Sequence, residues 1–233
     1  EHSVAGAPWQ TGFPLKYRYQ FTQYGNACSN HTIAPNSNNG GQAIIRAQRS
    51  ANAAFGTGAI FRYNGASGRF PVMYARYAPG TDEIGGDAQT FIGFNFADAS
   101  DPGLLLGLPA AGSYGKILGF QLDNALTISS WCGMYGNNAV TPFVVLPNIV
   151  NALNTFVDLY CTVFINLAGE TNAMFWGTGM AAPVLLPIEP AKEPVDNSQW
   201  VGQVFVQESA GGTAYETFLL DTWEFFDTEV VSG

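Results

Sequence analysis

Charge is scarce in this sequence. Asp, Glu, Lys and Arg together make up only 12% of its 233 residues, about half the usual share of ~25%. Nine basic residues stand against eighteen acidic ones, for a net charge of -9. Arg46, Arg49, Arg62, Arg69 and Arg76 are scattered rather than clustered. A nucleic-acid partner is therefore excluded, because phosphate binding needs a basic stripe that releases counterions. Histidine is nearly absent too: His2 and His31 both lie near the N-terminus, and nothing brings either beside a nucleophile for Ser-His-Asp or Cys-His chemistry. The three cysteines, Cys28, Cys132 and Cys161, cannot all pair within one chain, and no CxxC or Cys/His cluster suggests zinc. A Cys28–Cys132 disulfide stays open. No apolar run approaches the roughly 20 residues that span a bilayer, so no membrane insertion is expected. No signal-peptide pattern is visible.

What the sequence does have is apolar and aromatic surface, 47% and 14% of residues, cut into short pieces by 27 glycines and 13 prolines. Short runs rich in Phe, Tyr, Val, Ile and Thr between such breaks are the mark of many β-strands. The runs predict strands at 16–23, 42–49, 59–63, 69–77, 89–96, 116–122, 126–135, 143–145, 156–165, 173–176, 201–207 and 215–226. Residues 156–165 are the clearest case. Val157, Leu159, Cys161, Val163 and Ile165 are apolar at a spacing of two, while Asp158 and Thr162 interrupt an otherwise aromatic row on the other face. Gly169-Glu-Thr-Asn172 is read as the turn into the next strand. Asn148–Leu153 reads as a short surface helix or an extended loop. Residues 1–15 read as an arm and 16–233 as one β-sandwich domain, since sandwiches of this size need not split. Pro183–Ser198, with four prolines and three acids, is expected to be a long excursion and not a central strand.

Three segments fall in a suggestive order: Phe91-Ile-Gly-Phe-Asn-Phe96, Lys116-Ile-Leu-Gly-Phe-Gln-Leu-Asp123, and the strand–turn–strand of 154–176. Thr217-Phe-Leu-Leu-Asp-Thr-Trp-Glu-Phe-Phe226 closes the series. This succession resembles the concanavalin A-like lectin/glucanase sandwich, in particular the versions carried by tailed-phage virion proteins. The resemblance covers about residues 87–226 and implies an all-β, two-sheet antiparallel jelly-roll sandwich with an N-terminal arm and long loops. It differs from the family's pattern where Phe156 replaces a hairpin tryptophan.

The glucanases of that family use two carboxylates at short spacing on one strand face, and no such run occurs here. Asp227 and Glu229 have the spacing but lie in what reads as a tail. Asp221 and Glu224 are separated by an odd number and so point to opposite faces. Glu170 and Asp158 read as rim or surface groups. The loop Asp82-Glu83…Asp87 offers three oxygen ligands among glycines, a candidate calcium site or a plain acidic loop. Trp131, Tyr135, Asn137 and Asn138 place rings beside amides, the combination that a sugar needs, or else form a core tryptophan followed by a turn.

The expectation is a non-enzymatic structural component of a virion surface, such as a capsid decoration or fibre-associated protein. Low charge, an arm and an excursion suit a homo-oligomer that contacts other assembly subunits. The alternative is a carbohydrate-binding, host-attachment module that meets surface glycans and is secreted or displayed on a cell. A glycoside hydrolase or lyase is the third reading.

Overall fold

The computed structural model describes residues 22–24, 32–36, 40–47, 52–79, 89–97, 116–123, 128–136, 143–150, 152, 154–207 and 216–228. The predicted arm at 1–15 lies outside them. Among the described residues fourteen strands, numbered in chain order, form two antiparallel sheets of seven. The first runs β1 (Thr22–Tyr24), β4 (Asn52–Arg62), β13 (Gln199–Gln207), β6 (Gln89–Ala97), β7 (Ile117–Asp123), β8 (Ile128–Gly136) and β9 (Phe143–Val145). The second runs β12 (Val184–Pro187), β11 (Thr171–Gly177), β10 (Val157–Ile165), β5 (Phe70–Pro79), β14 (Glu216–Thr228), β3 (Gly40–Ala47) and β2 (Thr32–Asn36). Among the described residues the one helical piece is a 3-10 turn at Pro190–Lys192.

Alternation along each strand decides the core. Leu159, Cys161 and Val163 of β10, Met73, Ala75 and Tyr77 of β5, and Phe94 and Phe120 of the first sheet are fully buried. Rings dominate where the sheets meet: Trp200 stacks on Phe96 with centroids 4.3 Å apart, Phe225 stacks on Phe61 at 4.9 Å, and Phe120 meets Phe175 edge-on at 5.7 Å. Such contacts each add about 0.5–1.5 kcal/mol beyond the area they bury. Glycine on one sheet makes room for a ring from the other. A Cβ on Gly202 would lie 2.1 Å from Cζ of Phe225, and one on Gly133 would lie 2.5 Å from Phe175.

Three local details differ from the sequence expectation. The β10–β11 turn sits at Asn166–Glu170, three residues before the expected place, because Asn166 organises it. Its Oδ1 accepts from the Ala168 and Glu170 amides, both at 2.9 Å, and its Nδ2 donates to Glu170 Oε2. Gly169 supplies the left-handed φ of 82°. At 148–154 no helix forms among the described residues, since Asn148 and Asn154 take φ values of 64° and 57°. The excursion contains an edge strand, β12, which pairs with β11.

Beyond β12 the excursion is tied down at several points. Thr171 Oγ1 donates to Glu193 Oε1 and the Gly65 amide donates to Asp196 Oδ1, both at 2.7 Å, while the Tyr135 hydroxyl donates to the Lys192 carbonyl. It thereby bridges the two sheets at one end, and its own Ile188 and Pro194 are buried.

Candidate functional site

An antiparallel sheet with one face on the core normally shows polar side chains on the other. The outward face of the second sheet departs from this. Because Ala173 and Phe175 of β11 and Leu159 and Cys161 of β10 point inward, their neighbours Trp176 and Tyr160 point outward, together with Tyr74 of β5. Tyr160 pairs in register with Trp176 on one side and with Tyr74 on the other. All three are half-buried. Tyr74 and Tyr160 stand face to face, centroids 4.7 Å apart and planes 28° apart, so they present edges and hydroxyls outward. Trp176 is turned 57° from Tyr160 at 5.4 Å, out of that stack.

A polar cluster flanks the row. Asp158 Oδ1 accepts from the Tyr74 hydroxyl at 2.9 Å, and its Oδ2 accepts from Thr178 Oγ1 at 3.1 Å. Thr178 Oγ1 also accepts from the Asp158 amide at 3.0 Å. Arg76 reaches Asp158 at 3.5 Å and Asp221 at 3.3 Å, and its guanidinium lies 5.6 Å from the Phe156 ring centroid. With Arg76 and Asp158 about a third exposed, these ion pairs contribute little stability and act mainly to fix positions. Burial, reinforced by the hydrogen bond to Asp158, pushes the Tyr74 phenol well above its usual range. Burial, with the nearby Asp158 and Glu224, also raises Tyr160. Both hydroxyls are therefore neutral donors over the physiological range.

Counting residues misplaces Asp221. The β14 register slips between Leu220 and Thr222, a bulge that carries Asp221 to Arg76. Trp223 and Phe225 remain buried, and Glu224, paired with Tyr74, shares the outward face with Asp221. The odd spacing predicted opposite faces. Likewise Asp227 belongs to β14 and not to a tail.

The residues singled out from sequence land elsewhere. Trp131 is fully buried against Tyr77, edge-on at 5.0 Å, and Tyr135 is 1% exposed beneath the excursion. Neither ring has an open face on which a sugar could stack, and both serve the core. Asn137 and Asn138 lie outside the described residues, as do Asp82, Glu83 and Asp87 of the candidate calcium loop and Cys28 of the open disulfide. Among the described residues no group of three His, Cys, Asp or Glu side chains is placed to hold a metal. Glu170 sits in the exposed turn, bonded to Asn166.

Neither a protein-family profile nor a curated protein sequence matches the chain. Solved structures do. The carbohydrate recognition domain of Emp47p superposes with a TM-score of 0.60 at 12% identity, covering 97% of this chain and 99% of that one. The lectin UEA-II, in complex with galactose, gives 0.54 at 12% identity over 89% and 92% of the two chains. The fold is the concanavalin A-like sandwich. A conserved carbohydrate esterase from the Shiga toxin-encoding bacteriophage phi24B shares it, with a TM-score of 0.53 at 13% identity over 89% and 90% of the chains. On this concanavalin A-like frame the aromatic row crosses three neighbouring strands of one sheet. Its signal in the sequence was the series Phe156, Tyr160, Phe164, which runs from just before β10 along one of its faces. Trp176 gave no such signal, because β11 is apolar on both faces.

Proposed function

We propose that this chain is a non-enzymatic glycan-binding domain that works on the outside of a virion or cell. The observation that carries the reading is the half-buried row Trp176–Tyr160–Tyr74 on an outward sheet face. Pyranose rings are apolar on their faces and polar at their rims, so they suit an indole surface bordered by phenolic and carboxylate oxygens. The sandwich relatives named for carbohydrate recognition support the same reading at the level of fold, which by itself is analogy. Two of the three carboxylates beside the row, Asp158 and Asp221, are engaged by Arg76, which leaves Glu224 without a second free carboxylate to form the pair that glycoside hydrolysis uses. Retention of the purified chain on a glycan array tests the proposal. Binding abolished by W176A and preserved in D227N supports it, and absence of any retained glycan sinks it.

A second reading, a subunit of a virion surface lattice, is favoured by the apolar strip beside that row. Leu185 and Phe226 are exposed there, with half-buried Met174 paired to Leu185. Light scattering decides: a homo-oligomer disrupted by L185D and F226D supports assembly, and a monomer at high concentration removes it.

A further inference from the structure

Trp176, Tyr160, Tyr74 and Glu224 are paired in register across β11, β10, β5 and β14. They therefore form one line perpendicular to the strands. Three strand spacings of about 4.8 Å make that line about 14 Å long. The ring centroids follow it, at 5.4 and 4.7 Å. A ligand that fits a line of this length is an extended chain, longer than a single sugar.

Its charge follows from what borders the line. Asp158, Asp221 and Glu224 stand against Arg76, the single basic residue in β5, β10, β11, β12 and β14. Arg76 is engaged by both aspartates. The remaining field is negative along the Tyr160–Glu224 part of the line, in a protein of net charge -9, so a uronate or sulfated chain meets repulsion there. Both Asp158 oxygens accept from protein hydroxyls. The Tyr160 hydroxyl and the Glu224 carboxylate have no hydrogen-bond partner among the described residues and are left to face the ligand.

We propose, resting on the glycan-binding reading above, that the row takes a neutral, unbranched glycan laid across the strands. The chain covers Trp176 at one end and gives hydroxyl hydrogens to Glu224 at the other. The two tyrosines form the floor between them, with the Tyr160 hydroxyl bonding to the glycan and the Tyr74 hydroxyl held by Asp158.

The test is a length ladder of neutral β-1,4-linked gluco-oligosaccharides, from the monosaccharide to the hexasaccharide. A matching ladder of oligoalginates is run at low and high salt, with affinity read by calorimetry and by the fluorescence of the whole chain. For the neutral ladder, affinity rises about tenfold or more from monosaccharide to trisaccharide and then levels off. The oligoalginate is about tenfold weaker at low salt, with a gap that narrows as salt is added. W176A weakens the neutral hexasaccharide about tenfold. E224K, at a half-buried outward position, narrows the neutral-to-anionic preference at least about threefold.

Equal or tighter binding of the anionic ladder, or affinity independent of length, overturns the inference while leaving glycan binding intact. If neither ladder binds and W176A changes nothing on the array, the glycan-binding reading itself fails.

Discussion

Replacing Gly202 with alanine probes the contact between the sheets directly. The new Cβ would lie 2.1 Å from Phe225 Cζ and 2.7 and 2.8 Å from its two Cε atoms. Phe225 cannot retreat easily, because Phe61 stacks on it at 4.9 Å and Trp223 and Phe94 meet it at 4.8 and 5.2 Å. Overpacking of this kind costs about 1–3 kcal/mol, and the depth of the overlap points to the upper end. Loss of glycine's backbone freedom in the unfolded chain returns about 0.5–1 kcal/mol. The net expectation is a loss of about 2 kcal/mol, or about 4–8 °C in Tm for a chain of this size. Urea unfolding followed by tryptophan fluorescence measures it as a lower midpoint with unchanged slope. F225L removes the overlapping ring atoms, so in that background G202A should lose its penalty and keep the gain of about 0.5–1 kcal/mol, a coupling of about 3 kcal/mol. An unchanged G202A penalty in F225L, or a G202A protein within about 0.5 kcal/mol of the parent, refutes the packing argument.

Tyr63, buried and close to Glu193 and Asp196, has its phenol raised to about 12 from an ordinary 10. The folded state keeps that proton after the unfolded chain has lost it. Its contribution to stability is whole below pH 10 and lost as pH climbs toward 12, seen as a falling urea midpoint over that window. Asp158→Ala removes two of the causes that raise Tyr74 and one that raises Tyr160, so ultraviolet difference titration should show both phenols moving down, though not fully to 10, because burial remains. Cys161, fully buried with its thiol pushed up by burial, should resist a thiol reagent in the native protein and react at the rate of unfolding. Rapid native labelling at Cys161 would contradict its place in the core. Asn166→Ala removes three side-chain hydrogen bonds from an exposed turn and should lower stability by about 1–2 kcal/mol, whereas L167S beside it changes stability by less than about 0.5 kcal/mol.

The sandwich was legible because most strands carry an inward row at a spacing of two, as in Leu159, Cys161 and Val163. Strand ends and exceptions were less so. β2 and β12 contain Pro35 and Pro187 and pair only at edges, where a missing amide costs no bond, so their sequences read as loop. The bulge at Asp221 defeated a parity argument that holds only while the register is continuous. Trp131 and Trp176 show the limit most plainly. Each sits in a strand with apolar residues at odd and even positions, and only the packing of one sheet on the other decides which ring is enclosed. The aromatic row depends on Tyr74 of β5 and Tyr160 of β10, far apart in sequence, meeting in register, which no local pattern announces.

The order of the strands in space has a further consequence, for how the chain reaches this state. β13 lies between β4 and β6, and β14 lies between β3 and β5. Until residues 199–228 arrive, each sheet is two separate ribbons whose facing edges carry open amides and carbonyls. Contacts as distant as Gly65 with Asp196, 131 residues apart, also join chain segments far apart in sequence. Folding is therefore expected to be slow and to finish in one late step in which both sheets are sealed. Chains still on the ribosome, or cut before residue 199, would present four unpaired strand edges to their neighbours, which makes association between incomplete chains the main hazard of this topology.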